Sequence, residues 1–409
     1  MKLVVIGAQW GDEGKGKIVD FLAEGADIVA RFSGGANAGH TIVHGGHTYK
    51  LHLVPSGIVY PQKQVVLGTG MVIDPEALEH ELSELSAEGV SWQGRVFISD
   101  RAHLVLPRYK RADKELDKSR TQPIGTTGRG IGVTYSTKAA RDGVRVIDAF
   151  DEELLEALSE EDRSFLLEHR EAFRDMVVDI NAYMSEHADT PVLLEGAQGA
   201  LLDLDLGTYP FVSSGCSAAG GAAVGGGFGP REIDRVIGVC KAYSTRVGNG
   251  PFPTEFTAER DGDLEHVVRE LGHEYGVTTG RPRRCGYLDL VALAYACRSN
   301  SLDALALTHL DIYDTFDEVT VCVAYRINGR QTRYFPASRS AIARAEPILE
   351  TLSGWKSSTA GARRVDELPA EAREFIRYIE SYTGVPVEII SVGSEREHTI
   401  VERDPWTQS

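Results

Sequence analysis

Cysteine is scarce and unpaired in this chain. The five thiols, Cys216, Cys240, Cys285, Cys297 and Cys322, are scattered over 409 residues with no C-x-x-C pair. An odd, dispersed set argues against a disulfide framework or a thiolate zinc site, and for reduced thiols in a cytosol. Long apolar runs are also missing. The run in MKLVVIGAQW is too short for a signal peptide, and no stretch approaches the roughly 20 residues that span a bilayer. A soluble, cytoplasmic protein is the expectation. Basic residues are outnumbered 43 to 60, a net charge of −17. An acidic surface repels phosphate backbones, which disfavours nucleic acid and anionic membrane as partners. A local basic pocket for a small anion stays open.

What is present is ordinary globular composition, with 42% apolar and 25% charged residues and a length that allows one large α/β domain or two modest ones. No Pro/Ser linker or internal repeat divides it. Short β-branched runs end in Gly, Asp or Ser: LVVIG (3–7), VVLGTG (65–70), VFISD (96–100), VLLEGAQG (192–199), VIGVCKAYS (236–244), LALTHLD (305–311) and VEIISVG (387–393). Between them lie helical patterns at 75–89, 151–187, 287–301 and 367–384. This alternation predicts a mostly parallel twisted sheet flanked by helices on both faces, with ligands gathered at the carboxyl ends of its strands. VTVCVAYRINGRQTRYF (319–335) alternates about Asn328-Gly329 and predicts an antiparallel hairpin. The acidic 151–187 stretch reads as a solvated helical face. GGAAVGGGFG (220–229) reads either as a linker or as a loop feeding an anion site.

Five segments carry chemistry. GDEGKGKI, from Gly11, nearly fits the phosphate loop G-x-x-x-x-G-K-[ST], but Ile18 stands where a hydroxyl would bind magnesium. Backbone N–H groups, a helix N-terminus, Lys15 and Lys17 would face an anion. Asp12 has a use beside a phosphate: it can bind magnesium or take a proton from the attacking nucleophile. FSGGANAGHTIVHGGHTYKLH (32–52) is a second Gly-rich loop, with Asn37 and His40 as polar groups. His44 and His47 flank a Gly45-Gly46 turn. A surface hairpin is favoured there over a zinc site of His40, His44 and His47, because no Cys or carboxylate ligand is near. IGTTGRGIGVTYSTKAARDG (124–143) combines glycines, Thr126, Thr127, Arg129, Lys138 and Arg141, a composition suited to a phosphate monoester or to a solvated loop. GVTTGRPRRCG (276–286) clusters Arg281, Arg283 and Arg284, whose planar forks suit carboxylates or phosphates, or a salt-bridged turn. LTHLDIYD (307–314) is similar to the T-K-x-D guanine motif with His309 in place of Lys; Asp311 would accept from N1–H and N2–H₂ of guanine.

Together these segments, with EGAQGALLDLDLGTYPFVSS, KAYSTRVGNGPFPTE and TGVPVEIISVG, resemble the adenylosuccinate synthetase family over nearly the whole chain and in the family's order. The resemblance implies a single domain over 1–409, related in fold to P-loop nucleotide hydrolases and active as a homodimer. The implied reaction is GTP-dependent ligation of IMP and L-aspartate to adenylosuccinate, through a 6-phosphoryl-IMP intermediate, in AMP biosynthesis. Asp12 would be the base at N1 of IMP and His40 the acid assisting phosphoryl transfer to O6. One magnesium ion per subunit would be held by Asp12 and the backbone of Gly39. IMP would be met by Asp12, Glu13, Gly14 and Lys15, by Asn37, Ala38, Gly39 and His40, and by Thr127, Gln198, Ser213 and Arg281. Arg141 would reach the IMP phosphate of the partner subunit. Aspartate would lie on Val277, Thr278, Thr279, Gly280, Arg281, Pro282 and Arg283. GTP would be held by Gly11, Asp12, Glu13, Gly14, Lys15, Gly16 and Lys17, by Gly39, His40 and Thr41, and by Arg283. His309, Leu310 and Asp311, with Ser391, Val392 and Gly393, would hold its guanine.

Three departures stand out. His309 replaces the usual Lys, so its charge is expected to depend on pH and its hold on GTP to weaken. Ser213 replaces a common Thr, and SSGCSAAGG (213–221) differs from the usual Ser-Ser-Asn stretch. The region after Phe150 looks short. A GTP-binding switch protein would carry a hydroxyl after Lys17 and no further anion loops, and an acidic scaffold would leave the Gly-rich strand ends unexplained.

Overall fold

The computed structural model describes all residues except 38, 45–46, 122, 277–279, 281 and 408–409; for 40, 41, 43 and 44 it describes the backbone alone. Its centre is a ten-stranded sheet. In chain order the strands are β1 (Lys2–Gly7), β2 (Ile28–Arg31), β3 (Gln64–Leu67), β4 (Val96–Ser99), β5 (Val177–Val178), β6 (Val192–Gly199), β7 (Arg235–Lys241), β8 (Ala304–Thr308), β9 (Val387–Ser391) and β10 (Thr399–Val401). They lie in the order β10-β9-β8-β7-β1-β6-β2-β3-β4-β5. Every neighbouring pair is parallel except the edge pair β9–β10.

The seven runs of the sequence became strands. The structure adds β2 and the edge strands β5 and β10. A strand buried on both faces has apolar residues throughout, and β1 is the example: Val4 and Ile6 pack into one core, Leu3 and Val5 into the other. Helices cover both faces. They include α1 (Lys15–Ala23), α2 (Pro75–Ala87), α3 (Pro107–Ser119), α4 (Ile131–Ala140), α5 (Glu160–Phe173), α6 (Leu290–Ser299) and α7 (Ala370–Thr383). The caps follow the sequence: Asp74 accepts from Ala77 N at the start of α2, and Gly384 closes α7 at φ +73°. The predicted hairpin joins Glu318–Ile327 to Arg330–Thr332, with Asn328 and Gly329 both at positive φ, the backbone of a tight I′ turn.

Two readings are corrected. GGAAVGGGFG is neither a linker nor an anion loop. It forms a short helix, Gly221–Gly226, packed so close to the sheet that a Cβ on Gly225 would stand 2.1 Å from Phe32 O. The glycines there serve backbone contact; Thr69 N donates to Gly225 O at 2.7 Å. The 151–187 stretch is mainly solvated helix, but β5 interrupts it, and Asp162 is buried against Arg108 at 3.2 Å. Among the described residues no helix is long and apolar enough to cross a membrane.

Because nine strands run parallel, their carboxyl ends share one edge of the sheet. Gly7, Gly199, Lys241, Thr308 and Ser391 all end strands there. The motif loops meet at that edge.

Candidate functional site

The turn after β1 takes its shape from positive φ angles at Gly11 (+87°), Asp12 (+59°) and Gly14 (+82°), after which α1 begins at Lys15. That winding sends two adjacent carboxylates opposite ways. Asp12 stays 41% exposed at the apex, while Glu13 is fully buried beneath it. Glu13 Oε1 accepts from Gly11 N (2.8 Å) and Gln9 N (3.2 Å), and Oε2 pairs with Lys15 Nζ at 2.6 Å. The carboxylate is therefore the strut of the turn. A Cβ on Gly7 would lie 2.4 Å from it, which explains the glycine ending β1. Ile18 is also fully buried, within the hydrophobic core. The position that carries a hydroxyl in the usual loop faces the core here.

Lys17 leaves the turn altogether. Its Nζ donates to Ser391 Oγ (2.7 Å), Gly393 O (2.7 Å) and His398 O (3.0 Å), so it braces the loop after β9. Burial pulls its pKa down to about 8, against the charges of Asp311, Glu395 and Glu397.

Opposite Asp12 stands Arg283, with Nε 2.8 Å from Asp12 Oδ2, an ion pair without hydrogen-bond alignment. Arg283 Nη1 also donates to Glu274 Oε2 at 2.9 Å. Glu274 is buried, and Lys241 Nζ and Tyr243 OH both donate to its other oxygen. Burial alone would raise its carboxyl, but the Lys241 ammonium overrules it and the carboxyl is held near 2. Arg284 turns away from this group and pairs Nε and Nη2 with the two oxygens of Glu255. Arg284 is thus held in a salt-bridged turn, while Arg283 bridges the carboxylates of Asp12 and Glu274 beside the phosphate turn.

The remaining loops close around the turn. Gln198, at φ +57°, is the penultimate residue of β6 beside the second loop, its Oε1 3.7 Å from where a Cβ on Gly34 would lie. Asn37 Oδ1 is buried without a hydrogen-bond partner, and Gly39 is exposed just before the strand His40–His44. That strand pairs with His47–Leu51, placing His44 opposite His47 as the hairpin reading requires. The third segment is a loop to residue 130, continues as α4 and leaves it again at Arg141. Arg129 donates to Ala36 O, and Tyr135 OH accepts from Gly34 N at 3.0 Å, tying this segment to the second loop. Thr127 is exposed on the loop, whose neighbours Ile124, Gly125 and Thr126 donate to Asp117. Arg141 caps α4 at φ +70°, exposed, with no carboxylate at ion-pair distance among the described residues. Ser213 is half-buried, its N–H donating to Leu202 O at 2.8 Å.

On the far side, Asp311 lies in the turn Leu310–Tyr313, partly buried, and Val392 N donates to His398 O at 3.0 Å. Burial raises the Asp311 carboxyl, while Lys17 and His398 pull it the other way. His309 corrects an expectation. Burial, with Lys241 beside it, lowers its pKa to about 3, so it stays neutral throughout the physiological range. Gly280 and Pro282 are exposed. Ala38, Val277, Thr278, Thr279 and Arg281 lie outside the described residues, as do the side chains of His40 and Thr41.

Sequence reasoning missed Glu274, Lys241 and Tyr243. Their signals were a carboxylate in LGHEYG just ahead of the arginine cluster, and a lysine closing an apolar strand.

The adenylosuccinate synthetase family model matches residues 4–400. The chain belongs to that family. It is 48% identical over 431 residues to the adenylosuccinate synthetase of Moorella thermoacetica, covering 99% of each chain. It is 47% identical over 428 residues to that of Synechococcus sp. strain RCC307, covering 98% of this chain and 97% of the relative. The fully ligated adenylosuccinate synthetase of Plasmodium falciparum superposes with a TM-score of 0.90 at 38% identity, over 98% of this chain and 99% of that one. A cyanophage S-2L succinoaminodeoxyadenylate synthetase shares the fold, with a TM-score of 0.64 at 20% identity over 98% and 95% of the two chains. As a member of the adenylosuccinate synthetase family, the chain is a GTP-dependent ligase that joins IMP to L-aspartate in AMP biosynthesis.

Proposed function

We propose that Asp12 is the base of this ligation, and the observation that carries the reading is the split between the two carboxylates of the turn. Glu13 is consumed internally by Lys15 and two backbone N–H groups, whereas Asp12 is presented at the apex toward the loops that gather at the sheet edge. Hypoxanthine O6 is a poor nucleophile until N1–H is removed. Asp12 takes that proton, O6 attacks the γ-phosphorus of GTP, and GDP departs. His40, which opens its strand beside Gly39, supplies charge or a proton to the migrating phosphoryl group. The aspartate amine then displaces phosphate from C6 of the 6-phosphoryl-IMP. Asn37, Thr127, Gln198 and Ser213 orient IMP. Gly280 and Pro282, with Val277, Thr278, Thr279 and Arg281, receive aspartate. Arg283 serves GTP, and Asp311 with residues 391–393 reads guanine.

The exposed carboxylate of Asp12 suits magnesium, which takes few protein ligands beside substrate phosphates. Asp12 and Gly39 would hold it, and bound there it would neutralise phosphate charge. Residues 1–409 act as one unit, since β1, β8 and β9 all supply the site. The enzyme works as a cytoplasmic homodimer, with the exposed Arg141 completing the partner's IMP phosphate site; unpaired thiols fit a reducing compartment.

The test is GTP consumption by wild type and Asp12→Ala. Wild-type turnover should require both IMP and L-aspartate. Asp12→Ala should fold normally and lose at least about 10²–10⁴ in rate, the worth of a general base. Activity within tenfold of wild type would remove Asp12 from the mechanism.

A further inference from the structure

Glu274 belongs to no strand or helix, yet its carboxylate is the junction of three elements. Lys241 Nζ reaches it from the end of β7, Tyr243 OH from just beyond, and Arg283 Nη1 from the arginine segment at 2.9 Å. Arg283 is tied twice, because its backbone N–H also donates to Glu274 O at 2.9 Å. The tether leaves Arg283 Nε 2.8 Å from Asp12 Oδ2. On its other side the junction leads to the guanine turn: Tyr243 meets His309 edge-on, ring centroids 5.8 Å apart at 81°. A fully buried carboxylate persists only where charges and donors compensate it. Here two cations and a phenol do so, and two of the three lead directly to groups that meet substrate.

We propose that Glu274 is a positioning residue for GTP: it anchors Arg283 at two points, so that the guanidinium is held beside Asp12 before nucleotide arrives. An arginine anchored only by its backbone would sample many rotamers and pay that ordering on each binding event. The anchor also joins the guanine turn to the reacting carboxylate through Tyr243 and Lys241. This inference rests on the roles of Asp12 and Arg283 given above.

The experiment is steady-state kinetics on Glu274→Gln, Arg283→Leu and the double variant, with folding checked by circular dichroism. Glu274→Gln should lower kcat/KM for GTP by about 10- to 100-fold, the scale of a misplaced site group. The KM for IMP should stay within about threefold. In the Arg283→Leu background the same substitution should cost less than about threefold, because the residue it positions is gone. Glu274→Asp covers a folding failure of the Gln variant. It keeps the charge that Lys241 requires and shortens the reach to Arg283, so a smaller, GTP-selective loss is expected. A folded Glu274 variant with GTP efficiency within twofold of wild type, beside a crippled Arg283→Leu, would overturn this inference alone. So would losses that multiply in the double variant, or an IMP KM that rises in step with that for GTP. An Arg283→Leu enzyme with unchanged GTP efficiency would overturn both the role of Arg283 and the inference built on it.

Discussion

Glu13→Gln isolates the strut beneath the phosphate turn. The substitution keeps shape and volume but removes the charge and one acceptor. If the amide oxygen keeps the N–H groups of Gln9 and Gly11, the new NH₂ faces Lys15 Nζ at the 2.6 Å now occupied by the ion pair, donor against donor. If the amide flips, the two backbone donors lose their acceptor instead. Neither orientation satisfies all three partners. Lys15 is only 7% exposed, so its charge has little water to turn to. Removing one partner of a buried pair costs about 3–5 kcal/mol. Some relief is available, because Lys15 can swing toward the open side of the turn, so we expect about 3 kcal/mol. That is a large part of the 5–15 kcal/mol that typically holds a domain together. The assay is urea denaturation of the ligand-free protein, read as a fall in the midpoint at unchanged slope. The absence of ligand is what discriminates. A residue that only touched IMP or GTP would alter Michaelis constants and leave this midpoint in place. A loss below about 1 kcal/mol, no more than a single neutral hydrogen bond, would refute the strut.

Three further outcomes are expected. Asp311→Asn should weaken GTP use tenfold or more, about 1.4 kcal/mol, and make XTP the better phosphoryl donor, since the new amide opposes the guanine amino group but suits a C2 carbonyl; a GTP/XTP efficiency ratio equal to wild type would detach Asp311 from base reading. Lys17 uses three donors while protonated and has two once neutral, so kcat/KM for GTP should fall as pH rises through about 8, and Lys17→Arg should remove that alkaline limb. A flat wild-type profile between pH 7 and about 9 would show that the brace does not support nucleotide binding. Arg141→Leu should raise the KM for IMP, and mixing it with Asp12→Ala should restore activity through heterodimers that hold one intact site; no recovery despite subunit exchange would place Arg141 outside a shared site.

The sequence by itself determined the strand-and-helix alternation, the glycine turn after β1, the Asn328-Gly329 hairpin and the order of the motif loops. These are local properties: period-2 and period-3.6 patterning and the φ angles that glycine permits act within a few residues. Four-residue β2 escaped notice because Arg31 breaks its apolar run, although the folded chain buries that arginine completely. Tertiary structure decided what adjacent residues do. Asp12 and Glu13 are chemically alike and neighbours in sequence, and only the winding of the turn against β6 exposes one and buries the other. It also decided which basic groups are engaged: Lys17 is held by a loop 374 to 381 positions away, and Arg284 by Glu255, while Arg141 has no ion-pair partner among the described residues. Glu274 and Lys241 meet across 33 positions, because a loop outside the sheet folds back onto the end of β7. A charge is paid for or left available according to what lies across the sheet edge, and no pattern along the chain encodes the distance across it.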